Sequence, residues 1–146
     1  MKRSGRFNPF IVVGLICVII LVPLFLISKR GPENYASDFM VALSTGNADQ
    51  LANLSIIGEH NLDERKQLWQ QSVDSAKYYT FTWRITDVTN VSNDRAAVIL
   101  MMRRNLQMRM GADEYKYELP MQKTGDGWKV VVDQMNRDIY PFLPRP

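Results

Sequence analysis

Hydrophobic and polar positions along the chain fall into three regimes. Phe10 to Ile27 is a run of 18 residues without a charge, long enough for a helix to cross the hydrocarbon core of a bilayer. From Tyr35 the apolar residues recur at helical spacing. Tyr35, Phe39, Ala42 and Leu43 make one stripe, and Leu62, Trp69, Val73 and Ala76 make another. From Tyr79 the period drops to two, and Tyr79, Phe81, Trp83 and Ile85 alternate with Thr80, Thr82, Arg84 and Thr86, the pattern of a half-buried strand.

Local stop and start residues bound these elements. Gly31-Pro32-Glu33 predicts a helix start, with Pro suited to the first turn and Glu to the positive end of the helix dipole. Gly46 ends that helix, and Asn47 caps a short second one carrying Leu51 and Leu54. Asn61 followed by Glu64 forms a capping box for a third helix ending near Lys77. Turns at Ser92–Arg95, Gly111–Glu114 and Thr124–Gly127 separate strands over Ala96–Met110, Tyr115–Lys123 and Trp128–Asp133. Short turns between successive strands predict an antiparallel meander of four strands, so the fold class is α+β, with the helices on one face of a curved sheet.

The organisation predicted is a short basic tail (1–9), a transmembrane anchor helix (10–27), a linker (28–33) and an α+β domain (34–146) ending in a Pro-rich tail (140–146). The linker reaches ~20 Å at most, which keeps the domain close to the bilayer. A cleaved signal peptide fits less well, because no small-x-small cleavage pattern precedes Lys29. Lys2, Arg3 and Arg6 against Lys29 and Arg30 predict a cytoplasmic N-terminus and an extracytoplasmic domain.

The charge balance follows the same division. All five charges before residue 31 are basic, which leaves thirteen basic and fifteen acidic residues in the rest of the chain. A domain of net −2 lacks the clustered cations that phosphate contacts require, so nucleic acid is excluded as a partner. Cys17 lies within the apolar run, so the domain has no thiol to pair.

The opening stretch ENYASDFMVALSTGNADQLANL, the element order and the closing TGDGWKVVVD resemble the nuclear-transport-factor-two-like superfamily, the cystatin-like cone, over residues 32 to 133. Within it the chain is similar to small bacterial domains of unknown function behind an anchor segment, and to single-pass assembly factors of type IV secretion. The resemblance implies a cone of helices over a curved sheet. Some members, ketosteroid isomerases and polyketide cyclases, are enzymes that use an Asp base or a His-Asp pair with Tyr donors. The cone interior, if open, is expected to be lined by Tyr35, Phe39, Trp83, Tyr117 and Trp128.

Each candidate for chemistry has a plainer alternative. His60 stands alone in a loop, where it reads as a cap residue. Asp87 continues the parity of Ile85 and would face the cone, or it ends a strand in solvent. Met101, Met102, Met108, Met110 and Met121 are soft enough for Cu(I), yet Arg103, Arg104 and Arg109 among them repel a cation, and core filling is the preferred role. Those arginines with Lys116 form a basic patch or solvated strand ends. Tyr140–Pro146 contains a P-x-x-P spacing and is expected along the surface. No phosphate loop, nucleophile elbow or paired metal-ligand motif is present in the sequence. The expectation is a membrane-anchored binding or assembly module without catalytic activity or cofactor. Its partners would be the lipid bilayer, through residues 10–27, and another membrane or envelope protein. The alternative is a small-molecule-binding or enzymatic cone.

Overall fold

The computed structural model describes residues 30–104 and 113–146, and residues 31–146 form one compact unit. The anchor, the basic tail, Cys17, Met108, Arg109 and Met110 lie outside the described residues. Among the described residues no helix is long and apolar enough to cross a membrane.

Helix α1 spans Pro32–Thr45, with Gly31 as its N-cap and Pro32 at its first position. It stops at Gly46, whose φ of 68° is the left-handed conformation that lets the next N–H, of Asn47, fold back to the Ala42 carbonyl at 2.9 Å. Asn47 then caps α2 (Ala48–Leu54) by accepting from the Gln50 N–H. The predicted capping box opens α3 (Leu62–Ser75). Asn61 accepts from the Glu64 N–H at 3.0 Å, and Glu64 accepts from the Asn61 N–H at 2.9 Å.

Five strands form one mixed sheet in the order β1-β5-β4-β3-β2. The predicted meander is present as β2 (Phe81–Asn90), β3 (Arg95–Arg104), β4 (Glu114–Thr124) and β5 (Gly127–Val131). To it is added a strand the sequence pattern hides, the two-residue β1 (Ser55–Ile56), which pairs parallel with Val130 and Val131 of β5. Two residues are too few to show alternation, so only the tertiary pairing reveals it.

The helices cover one face of the sheet. Phe39 and Met40 of α1, Leu51 of α2 and Trp69 of α3 are fully buried with Val98, Leu100 and Leu119. Trp69 meets Phe39 edge-on at 5.8 Å and donates its indole N–H to Ser55 Oγ at 2.8 Å. Ser55 Oγ itself donates to the Leu51 carbonyl, and Arg65 Nη1 donates to the Ser55 carbonyl. One buried serine thereby ties α2, α3 and β1 together. Leu62, expected in the α3 stripe, is 38% exposed, because it is the first residue of the helix and overhangs the core.

The C-terminal tail departs from expectation. After a 3-10 turn at Val132–Gln134, the chain buries Met135, Ile139, Tyr140 and Leu143 in the main core instead of lying along the surface. Apolar residues in this segment complete the core at the end of the domain where α1 and α3 terminate, here called the distal end.

Candidate functional site

The five residues expected to line the cone all belong to the core or pack against it, but at separate points along the sheet. Phe39 is fully buried, Tyr117 and Trp128 are nearly so, and Tyr35 and Trp83 are half-buried against the core. Tyr35 packs over Gly127, whose φ is 113° and where any Cβ would run into the phenol. Trp83 stands in register with Met102 of β3. Of these five, Tyr117 alone borders either of the recesses described below.

The distal end is built by β3 parity and by the C-terminal segment. Ala96, Val98, Leu100 and Met102 point into the core, so Arg104, two residues further, occupies the same face at the strand's end. Its Nη2 donates to the Tyr117 hydroxyl at 3.0 Å and to the Asp138 carbonyl, while its Nε is buried without a hydrogen-bond partner. The Tyr79 hydroxyl donates to the Ile139 carbonyl at 3.2 Å. Tyr140 fills the remaining space, edge-on to Tyr79 at 5.4 Å, Phe81 at 6.5 Å and Phe142 at 6.3 Å. Burial raises the Tyr79 phenol above its ordinary value, with Arg104 pulling in the opposite sense. Burial, reinforced by Tyr79, pushes Tyr140 up to about 12. Both phenols are therefore neutral at physiological pH and serve as donors and packing surfaces, not as bases.

Outside this plug is an open cleft of about 600 Å³. Its walls are Leu43 to Gly46 at the end of α1, and Val73, Asp74, Ala76 and Lys77 at the end of α3, closed below by Tyr79, Thr80 and Tyr140. Neither helix has a basic residue in its last turn. Asp74 accepts from Gln70 Nε2 at 2.9 Å, and the Lys77 ammonium lies 5.8 Å from the Tyr78 ring centroid. A smaller polar recess of about 440 Å³ lies between β4 and the C-terminal segment, lined by Lys116, Tyr117, Glu118, Gln134 and Asn136.

The other sequence candidates are dispersed. His60 Nδ1 lies 3.3 Å from the Glu64 carboxylate at the head of α3. The Asn61 N–H, and then His60, hold Glu64 below the usual carboxylate range. A bulge between Ile85 and Asp87 shifts the β2 register, so Val88 takes the inward position and Asp87 turns to solvent, accepting from the Val88 N–H. Of the described members of the expected basic patch, Arg103 and Lys116 are exposed, whereas Arg104 reaches inward. Met102 and Met121 are buried in the core, and Met101 lies on the opposite face of β3. The cleft itself was missed by sequence reasoning. Its signal was the apolar pair Tyr140 and Leu143, which marks the tail as a core segment.

No family model and no curated protein matches the sequence. Solved structures do match. A protein designated a calcium/calmodulin-dependent protein kinase type II association domain, from Thiobacillus denitrificans, aligns with 70% of this chain and 91% of its own at 11% identity and TM-score 0.53. A protein designated an NTF2-like transpeptidase, from Campylobacter jejuni, aligns with 70% of this chain and 98% of its own at 16% identity and TM-score 0.50. The domain has the nuclear-transport-factor-two-like fold. In this cone the helices α1 to α3 cover the sheet, and the segment after β5 closes the distal end with Ile139, Tyr140 and Leu143.

Proposed function

We propose that this chain is a single-pass membrane-anchored, extracytoplasmic binding or assembly module that acts without catalysis. The observation that carries the reading is the occupied distal end of the cone. Side chains of the chain's own C-terminal segment pack into the core at that end, which supports recognition by the outer surface over an interior pocket. The uncharged run Phe10–Ile27 with flanking cations supplies the anchor, and the net negative domain beside it suits a protein partner better than a polyanion. Short tethering raises the effective concentration of the domain for partners moving in or along the bilayer.

The test uses the full chain in native membranes, with a photocrosslinking amino acid at Tyr78 or Phe142, both exposed at the distal end. A discrete crosslink to a membrane or envelope protein is expected, together with resistance to alkaline carbonate extraction. Release of the chain by carbonate, or a reporter fused after Pro146 that is active only in the cytoplasm, overturns the anchoring. Absence of any crosslinked protein at both positions overturns recognition at the distal end, and absence at Val91 as well overturns the module.

A further inference from the structure

The cleft at the distal end is framed by the C-terminal turns of two helices. Leu43 to Gly46 close α1, and Val73 to Lys77 close α3, and both sets line the same space. The end of a helix presents backbone carbonyls that its own hydrogen bonds leave over, equivalent to roughly −0.5 of a charge per helix. Neither α1 nor α3 has a Lys, Arg or His in its last turn, and the only cation near either end in this lining is Lys77, just past the α3 C-cap Ala76. Asp74 adds a full negative charge at the rim. The one cation of the lining, Lys77, is exposed and has the Tyr78 ring beside it. Tyr79 and Tyr140 contribute neutral aromatic surface. Two half charges and one carboxylate outweigh a single ammonium, so the space is electronegative with an aromatic floor, a combination that favours an organic cation.

We propose that this cleft receives a lysine or arginine side chain from the partner protein of the binding module. The inference rests on the module reading of the preceding subsection and names the chemistry by which the partner is held. A volume of about 600 Å³ exceeds one side chain and takes it with its flanking backbone. The domain's net negative charge points the same way, since it steers a basic segment towards the surface.

The test is titration of the isotope-labelled full chain in neutral detergent with blocked tripeptides of sequence Gly-Arg-Gly, Gly-Lys-Gly and Gly-Gln-Gly, and separately with spermidine and choline. The Arg and Lys peptides should shift the amide resonances of Gly46, Lys77 and Thr80 while the Gln peptide does not. Affinity should fall by about threefold or more between physiological and molar salt. Asp74→Asn should weaken binding about twofold to fivefold, and Lys77→Ala should strengthen it by a similar factor. Equal response to the Gln peptide, or shifts that avoid these amides, overturns the inference. Binding of spermidine or choline without the peptides also overturns it, because the site would then belong to a small cation. A crosslinked partner without peptide binding refutes the cleft alone. Peptide binding by a chain that carbonate releases refutes the anchored module alone.

Discussion

Tyr140→Ala tests whether the C-terminal segment is a structural part of the domain. Tyr140 is 3% exposed and meets three aromatic rings. A buried aromatic of this kind removes ~150 to 250 Å² from water, worth ~4 to 6 kcal/mol at roughly 25 cal/mol per Å². Residual compaction of the unfolded chain lowers that by ~10 to 40%, so a loss of about 3 to 5 kcal/mol is expected, in line with aromatic truncations generally. Against a total stability of roughly 5 to 15 kcal/mol, the variant would fold but with much of its margin gone. Urea unfolding followed by tryptophan fluorescence should show a lower midpoint at unchanged slope. Tyr140→Phe keeps the ring and its contacts with Tyr79, Phe81 and Phe142 and removes only the hydroxyl, so it should cost less than ~1 kcal/mol. A Tyr140→Ala loss below ~1 kcal/mol would mean the segment frays and the distal end is open, and the closed-cone reasoning would fail.

Other predictions follow from the same geometry. Residues 31–146 expressed alone should be soluble and unfold cooperatively, read by a thermal transition; an aggregated fragment would place the domain boundary elsewhere. Trp69→Ala should cost about 3 to 5 kcal/mol and Trp83→Ala only about 1 to 3 kcal/mol by urea unfolding, since the first is fully buried and the second half-buried. Tyr140 has a folded value of about 12 against an ordinary 10.0, so the native state holds its proton longer than the unfolded chain. Stability from this group is complete below pH 10.0 and lost as pH rises towards about 12. Tyr140→Phe should flatten that alkaline decline, and an unchanged decline would assign it to other groups.

The legible parts of the fold were those written in local chemistry. Gly46 in the left-handed region, the Asn47 cap and the Asn61/Glu64 box fix helix ends within a few residues, so sequence spacing finds them. Alternation over Tyr79–Thr86 likewise marks an edge strand whose inner face is Phe81, Trp83 and Ile85. What stayed hidden depends on partners far along the chain. The bulge after Ile85 exists only in the pairing with Ile99, and it decides that Asp87 faces solvent. The strand Ser55–Ile56 is specified by β5, 75 residues later. Arg104 reads as a surface residue until Tyr117 and the Asp138 carbonyl supply acceptors for it at the end of an inward-facing row. That the tail packs into the core was not legible, because the prolines at 141 and 144 suggest a surface segment more strongly than Ile139, Tyr140 and Leu143 suggest a core.

The direction of α1 separates the two ends of the domain. At the start of α1, Tyr35 lies against Gly127 in the β4–β5 turn, and the Lys123 N–H reaches the Asp94 carbonyl at 2.7 Å, so both hairpin turns share the end where the chain enters at Pro32. At its finish, Leu43 to Gly46 form one wall of the cleft with Tyr79 and Tyr140. Fourteen helical residues span about 21 Å at 1.5 Å each. The cleft, Tyr78 and Phe142 therefore lie at one end of the domain, and the turns at Val91–Asp94 and Gly125–Asp126 lie at the other. That polarity makes crosslinking position a sharp discriminator. A partner recognised at the distal end should be captured from Tyr78 and Phe142 but not from Val91, which is 67% exposed at the opposite end. Capture from Val91 alone would instead assign recognition to the hairpin turns and leave the cleft without a role.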